Sequence, residues 1–236
     1  MSRSITAAIE EVYRASGVAQ SSDRRRIVLL ADLLGGYNLT CKEISGLTSQ
    51  AASNFLLRRG AILEPLSDIN QEPLAGYINV NSIAGNIFVE RTDLVVRRRF
   101  SVAHELGHYV MHFLTLIESG FFEQYEQVEI VEVLAPFPLE EETEDLPTGR
   151  IYLPERADLA SSLPPFEQME REANQFAAEL LMPEETVREL LDRYAASCQD
   201  DDLVWRLAGE MLVSRSAMRW RLRNLRLLAT STAQWN

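Results

Sequence analysis

The sequence of 236 residues is poor in cysteine and lacks any long hydrophobic run, and each absence excludes a class of protein. Its two cysteines, Cys41 and Cys198, cannot build a disulfide framework, so we expect the reducing environment of the cytoplasm. The longest nearly apolar run, residues 109–117, is far too short to cross a bilayer, so we expect no membrane partner. Charged side chains interrupt residues 1–14, where a signal peptide would have its apolar core.

Positive charge is scarce and unevenly distributed. The chain has 23 basic and 35 acidic residues, a net charge of −12, so its surface as a whole repels nucleic acid. Residues 101–149 contain no lysine or arginine, whereas residues 203–228 contain six arginines and one glutamate. With 46% hydrophobic and 25% charged residues, the composition is that of a globular protein and excludes a wholly disordered chain.

The N-terminal segment, residues 1–62, is predicted to be helical. Thr40 and Glu43 have the spacing of a capping box and predict a short helix over 41–46, and a second helix is predicted over 49–59. Two short helices with a tight turn form either a plain helical hairpin or a helix-turn-helix-like unit. Both interpretations stay open at this point.

The next segments predict a hairpin and a long loop. Residues 76–80 and 87–90 are rich in β-branched and aromatic side chains and predict two antiparallel strands, one of which we hypothesise to be an edge for an extended peptide. Residues 118–165 are acidic and rich in proline. Because six of the nine prolines fall within 136–165, we expect a surface loop or insertion there, without regular structure.

The sequence His-Glu-Leu-Gly-His at residues 104–108 carries the strongest chemical signal. His104 and His108 lie one helical turn apart on one face, so both imidazoles can reach one metal ion. Glu105 is then placed to take a proton from a water activated by the metal, as the catalytic base. His112 would lie about 12 Å from His104 along the helix axis, so we interpret it as a supporting residue rather than a ligand.

With no histidine left elsewhere, the third ligand is expected on a helix over 166–181. Glu170 and Asn174 share a face with small apolar residues, and a carboxylate on such a packed face needs a strong partner such as a metal. Glu172 lies on a more solvated side and is the alternative third ligand. Asn174 is placed to hydrogen-bond a ligand histidine.

Three stretches together resemble one known family. RRRFSVAHELGHYVMH, EREANQFAAELLMP and LAGEMLVSRSAMRWRL, within residues 74–228, are similar to the ImmA/IrrE family of metallopeptidases. The resemblance implies an α+β, mostly helical fold, in which a zincin-like metallopeptidase domain over 63–200 has a small antiparallel sheet. It assigns His104, His108 and Glu170 as ligands of one Zn²⁺ per chain, with Glu105 as the base.

The same resemblance implies a substrate class. Members of the family cleave helix-turn-helix repressors of the XRE type, which derepresses phage-like or stress-response genes, so a protein substrate of this kind is expected. The same ligands would also accept Mn²⁺ or iron. A peptidase needs a donor for the oxyanion, and Tyr109 and Tyr152 are the two guesses that the sequence offers.

The C-terminal segment, residues 201–236, is predicted to be helical and basic. Ser214 can cap a helix on which Arg215, Arg219 and Arg223 fall on one face, four residues apart. This face predicts contacts with nucleic-acid phosphates or an acidic partner, or else a plain solvated surface.

Two alternatives to a repressor-cleaving peptidase remain at this stage. The chain could be a non-enzymatic, metal-stabilised regulator that binds a repressor or DNA, or it could be the enzymatic half of a toxin–antitoxin pair. We also predict that the acidic residues 118–149 gate access to the site, because they lie between the two metal-binding helices and carry one sign of charge.

Overall fold

The structure is a computed structural model that describes residues 4–18, 27–61, 71–81, 84–120, 130–135, 149–152, 163–195, 198 and 200–227. The described N-terminal half contains α1 (Ile5–Ser16), α2 (Leu30–Leu34), β1 (Leu39–Ile44), α3 (Ser49–Leu57), β2 (Gly76–Val80), β3 (Gly85–Glu90), α4 (Val95–His108), a π-helical turn (Tyr109–Phe113) and α5 (Leu114–Glu118). The remainder contains β4 (Ile130–Leu134), β5 (Gly149–Tyr152), α6 (Phe166–Leu181), α7 (Glu184–Tyr194), α8 (Asp200–Met211) and α9 (Arg215–Asn224).

One five-stranded sheet organises the fold, in the strand order β1-β3-β2-β4-β5. β1 runs parallel to β3, and the other neighbours are antiparallel, so the sheet is mixed where only antiparallel pairs were expected. The predicted α+β, mostly helical fold is confirmed.

The predicted hairpin is also confirmed as β2 and β3, but each of these strands is paired on both sides. The hypothesis that this hairpin offers a free edge is therefore wrong, and β1 and β5 are the outer strands of the described sheet.

The prediction of a helix over 41–46 is wrong, because residues 41–44 belong to β1 and residues 45–46 form a turn. The Thr40 hydroxyl donates to Asn86 Oδ1 (2.9 Å) across the sheet and does not cap a helix. Parallel pairing from Leu39↔Gly85 to Ile44↔Glu90 thus overrides the local capping signal. The second predicted helix exists as α3, but without the first helix there is no helix-turn-helix at this place.

The sheet separates two apolar clusters. One face, with Ile78, Val80 and Ile87, packs in the main core together with residues of α1, α2, α4 and the C-terminal helices. The opposite face, with Tyr77 and Phe88, packs against α3. The described parts of all three predicted segments thus contribute to packing around one sheet, and the boundaries at residues 62 and 200 stay predictions.

The predicted loop over 118–165 contains regular structure. Residues 130–134 form β4, which pairs along its whole length with β2, and residues 149–152 form β5, which pairs with β4. The expectation of no regular element within 136–165 is therefore wrong for β5. β4 ends before the first proline of the segment, Pro136, and β5 is short enough to fit between Pro147 and Pro154. In β4, Ile130, Val131, Val133 and Leu134 are buried. The acidic run 140–145 lies outside the described residues.

The C-terminal helices agree with the prediction. α6 spans the predicted residues, and α7 begins one residue after Pro183, which occupies the N-cap and not the first helical position. Ser214 Oγ accepts a hydrogen bond from the Ala217 N–H (3.1 Å) and caps α9 as predicted. Within the described residues, no helix is both long and apolar enough to cross a membrane.

Candidate metal centre

The close approach of α4 and α6 creates the site. At Gly107, an added Cβ would lie 3.0 Å from Phe176 Cδ1 and 3.2 Å from the Ala173 backbone, so only glycine fits without displacing a neighbour. Ala173 and Ala177 are fully buried on the facing side of α6. Because these small residues let the two backbones come together, the side chains that flank them are forced into contact.

Three side-chain atoms converge between the two helices. His108 Nε2 lies 2.9 Å from Glu170 Oε1, His104 Nε2 lies 3.8 Å from the same oxygen, and the two Nε2 atoms are 3.1 Å apart. Ligands bound tetrahedrally at about 2.1 Å would be roughly 3.4 Å from one another. The three atoms thus have the separations that a tetrahedral metal ion requires, and they form the single group of potential metal ligands found within the described residues.

The hydrogen bonding of these residues also fits a metal. Asn174 Oδ1 lies 3.0 Å from His104 Nδ1 and can only accept a hydrogen bond, so the Nδ1–H donates to it and Nε2 carries the lone pair. Glu170 Oε1 is buried and makes no hydrogen bond with any described residue. A lone pair and a carboxylate oxygen directed at one point in a buried site need a cation to balance them.

Burial keeps the two histidines neutral. Desolvation, followed by the neighbouring His108, lowers the pKa of His104 to about 3. Desolvation likewise lowers the pKa of His108 well below its usual value. Since an imidazole binds a metal only in its neutral form, the protein holds both side chains ready for coordination at neutral pH.

Glu105 is completely buried and lies against the start of β2. An added Cβ at Gly76 would come within 2.5 Å of Glu105 Oε1 and 3.2 Å of Leu134 Cβ. Gly76 therefore leaves the space in which the carboxylate rests. Sequence reasoning did not identify this role, and the glycine at the beginning of a strand was the signal available for it.

Glu172 is not brought into this group. Its Oε1 accepts a hydrogen bond from Gln168 Nε2 (2.8 Å), and its Oε2 lies 3.8 Å from His112 Nε2. His112 is buried in the π-helical turn, and its ring centroid is 5.7 Å from that of His108. Glu172 and His112 thus contact each other beside the three converging atoms rather than joining them.

The two tyrosines suggested for the oxyanion have different positions. Tyr109 is buried in the main core, edge-to-face with Tyr37 at 5.5 Å between ring centroids. Tyr152 ends β5, and its side chain lies outside the described residues. A contact that the sequence analysis did not identify comes from the other end of this strand, where the Gly149 N–H donates to Glu170 Oε2 (2.8 Å).

The predicted arginine face of α9 lies in the C-terminal helix pair. Arg215 and Arg223 are exposed, and Arg219 donates to Asp201 Oδ1 of α8 (3.0 Å). Arg221, which the sequence analysis did not single out, is buried and donates through Nε to the Met182 carbonyl at the end of α6 (2.9 Å). Arg221 therefore joins α9 to the helix that carries Glu170.

Comparison with known proteins agrees with this geometry. The sequence matches the peptidase family M78, described as IrrE N-terminal-like domain, over residues 66–135 and 151–223. Since this is more than half of the chain, the chain belongs to this family of metallopeptidases, and the predicted resemblance is confirmed. The matched ranges include the motif of α4 and Glu170, and they leave residues 136–150 unmatched. No curated protein is significantly similar in sequence to the chain.

Proposed function

We propose that this protein is a zinc-dependent endopeptidase in which His104, His108 and Glu170 hold the metal and Glu105 is the catalytic base. The observation that carries the proposal is the convergence of three buried ligand atoms from residues that flank or neighbour a buried glutamate, Glu105. The chain that contains them belongs to a peptidase family. Zinc is the metal that two imidazoles and one carboxylate with an open fourth position most often bind in hydrolases.

The roles of the residues follow from their positions. Zinc in such a site supplies a Lewis acid that polarises a peptide carbonyl and makes a water molecule more acidic. Glu105, adjacent in sequence to the first ligand, takes the proton of the attacking water and returns it to the leaving amine. Asn174 holds the His104 ring in the tautomer that presents Nε2 to the metal.

Metal content per chain tests the site. We expect about one zinc per wild-type chain by mass spectrometry after purification without added metal, and the same amount in Glu105→Gln, because Glu105 is not a ligand. Manganese or iron in place of zinc would change the metal but retain the site. A wild-type chain that stays empty when zinc is supplied would contradict the proposal.

The proposed substrate is a DNA-binding repressor of the helix-turn-helix type, cleaved in the cytoplasm. The support for this class is the family to which the chain belongs, and the confirmed peptidase membership implies a protein substrate. Co-expression with candidate repressors should yield fragments with wild type and none with Glu105→Gln. General-base catalysis contributes about 10²–10⁴-fold to rate, so the loss in the variant should be of that size.

A non-enzymatic regulator is the second candidate, and one observation favours it. His104, Glu105 and His108 are completely buried, so a peptide bond reaches them only after the residues that cover them rearrange. Under this alternative, Glu105→Gln would bind metal and relieve repression as well as wild type, with no fragment formed. Slowed growth on expression of the chain alone would instead favour the toxin–antitoxin alternative.

A further inference from the structure

Three neighbouring strands present two glycines to the two carboxylates of the site. In the sheet register, Gly76 of β2 pairs with Leu134 of β4, and Leu134 pairs with Gly149 of β5. The three residues therefore form one row across the sheet. At one end of the row, Gly76 leaves space for Glu105 Oε1, and at the other end the Gly149 N–H binds Glu170 Oε2.

The hydrogen bond from the Gly149 N–H determines how the Glu170 carboxylate is oriented. Glu170 Oε2 accepts the backbone N–H at 2.8 Å, and this fixes one oxygen of the carboxylate. The other oxygen, Oε1, is then the one that lies 2.9 Å from His108 Nε2 and makes no hydrogen bond with a described residue. The bond thus orients the carboxylate so that a single free oxygen is directed at the two imidazoles.

This contact comes from a part of the chain outside the family match. Residues 136–150 are unmatched, so the N–H that binds Glu170 is supplied by a stretch that lies between the two matched ranges. β5 is an outer strand of the described sheet, paired with β4 and in contact with α6. An outer strand can leave the sheet more easily than an inner one because it has one paired neighbour.

We propose that Gly149 is a positioning residue for the metal ligand Glu170, and that its N–H couples the docking of β5 to metal affinity. The proposal rests on the proposed metal centre. A carboxylate that binds a metal through one oxygen gains from a hydrogen bond at the other, and loss of such supporting bonds typically lowers metal affinity 10- to 100-fold. When β5 is displaced, Glu170 loses this orientation and the site binds metal less tightly.

The test compares Gly149→Pro with Gly149→Ala. Proline removes the N–H and restricts the backbone, whereas alanine keeps the N–H and also removes the glycine, so the two variants differ in the hydrogen bond and in the backbone restriction of proline. The Gly149 N–H donates to Glu170 and not to a neighbouring strand. Proline at this position of an outer strand therefore removes the bond to Glu170 and leaves the hydrogen bonds between strands in place. We expect Zn²⁺ affinity, measured by competition with a chromophoric chelator, to be 10- to 100-fold lower in the proline variant than in the alanine variant.

A double-mutant cycle separates positioning from general weakening of the fold. In a Glu170→Ala background, the proline and alanine variants should have the same residual Zn²⁺ affinity, because the acceptor is gone. Equal affinity of the two variants in the wild-type background would overturn the proposal and leave the proposed function intact. A wild-type chain that binds no zinc would overturn the proposed function and this proposal with it.

A second measurement needs no proline. In metal-free protein, hydrogen exchange of the Gly149 amide should be roughly tenfold faster in Glu170→Ala than in wild type, because its acceptor is lost. Asn174→Ala is the matched control, since it changes the same face of α6 without touching Gly149, and its exchange at this amide should equal that of wild type. Unchanged exchange in Glu170→Ala would overturn the proposal.

Discussion

Two pairs of helices in this chain carry polar side chains at their contacts and place them in opposite environments. Between α4 and α6, His104, His108 and Glu170 are buried and directed at one another. Between α8 and α9, Arg219 and Asp201 pair at the surface, where the Asp201 side chain is 92% exposed. Buried polar groups are costly unless hydrogen bonds, an opposite charge or a metal satisfy them, whereas an exposed ion pair is nearly neutral. The first contact is therefore suited to binding a cation, and the second is stable without one.

The same contrast occurs within α6. Glu170 and Glu172 are two residues apart, so they project from different sides of the helix. The first meets His108 and the Gly149 N–H, and the second meets Gln168 and His112. The position on the helix thus decides the difference: Glu170 keeps one oxygen directed at the histidines, whereas Glu172 is bound by Gln168 of its own helix.

The largest expected effect concerns these two glutamates. Glu170→Gln should lose most of its bound zinc, because an uncharged amide is a poor ligand and leaves two imidazoles alone. Glu172→Gln is the matched control and should retain about one zinc per chain. Metal content per chain, measured by mass spectrometry for both variants, decides which glutamate is the third ligand. If Glu172→Gln loses the metal and Glu170→Gln keeps it, the assignment of the third ligand is wrong.

The second prediction concerns the pH response of the buried helix pair. Because the pKa of His104 is lowered to about 3, its ring should stay neutral in the metal-free protein while pH falls from 7 to 5. Unfolded chains bind a proton near pH 6.5, so the free energy of unfolding should fall as pH is lowered from about 6.5 towards 3. NMR titration of the imidazole resonances measures the pKa of His104 in the folded protein. A titration of His104 near pH 6.5 would contradict the prediction.

The third prediction compares two helical glycines. Gly107→Ala should destabilise the protein by about 1–3 kcal/mol, because the new methyl group meets Phe176 and the Ala173 backbone. Gly209→Ala in α8 has no atom within 4 Å of the added Cβ and should stabilise by about 0.5–1 kcal/mol through helix propensity. Denaturant unfolding of both variants measures the difference, and equal effects would mean that α4 and α6 are not in close contact.

The smallest effect is expected at the surface of the α8–α9 pair. Arg219→Ala should change stability by less than about 0.5 kcal/mol, because its partner Asp201 is exposed. Arg221→Ala should cost about 2 kcal/mol, since it removes a buried charged donor from the Met182 carbonyl. Thermal unfolding compares the two. Equal losses would show that the exposed pair contributes as much as the buried one.

Local patterns were sufficient for the elements that carry the site. The motif of α4 and the apolar face of α6 have unbroken helical periodicity, and both helices form where they were predicted. The ladder partners of β1 and β5 are distant in sequence. A capping-box pattern therefore predicted a helix where parallel pairing with β3 makes a strand, and prolines around β5 predicted a loop. Gating by residues 118–149 and nucleic-acid or partner binding by the arginines of α9 stay predictions.

The sequence by itself determined which side chains could bind a metal, because the spacing of His104 and His108 is a property of a single helix. Only the tertiary structure decided that Glu170 faces them, that Glu172 does not, and that Gly149 binds Glu170 from another strand. The reason is physical. Helical periodicity sets relations within one segment, whereas the distance between α4, α6 and β5 depends on how closely their backbones pack.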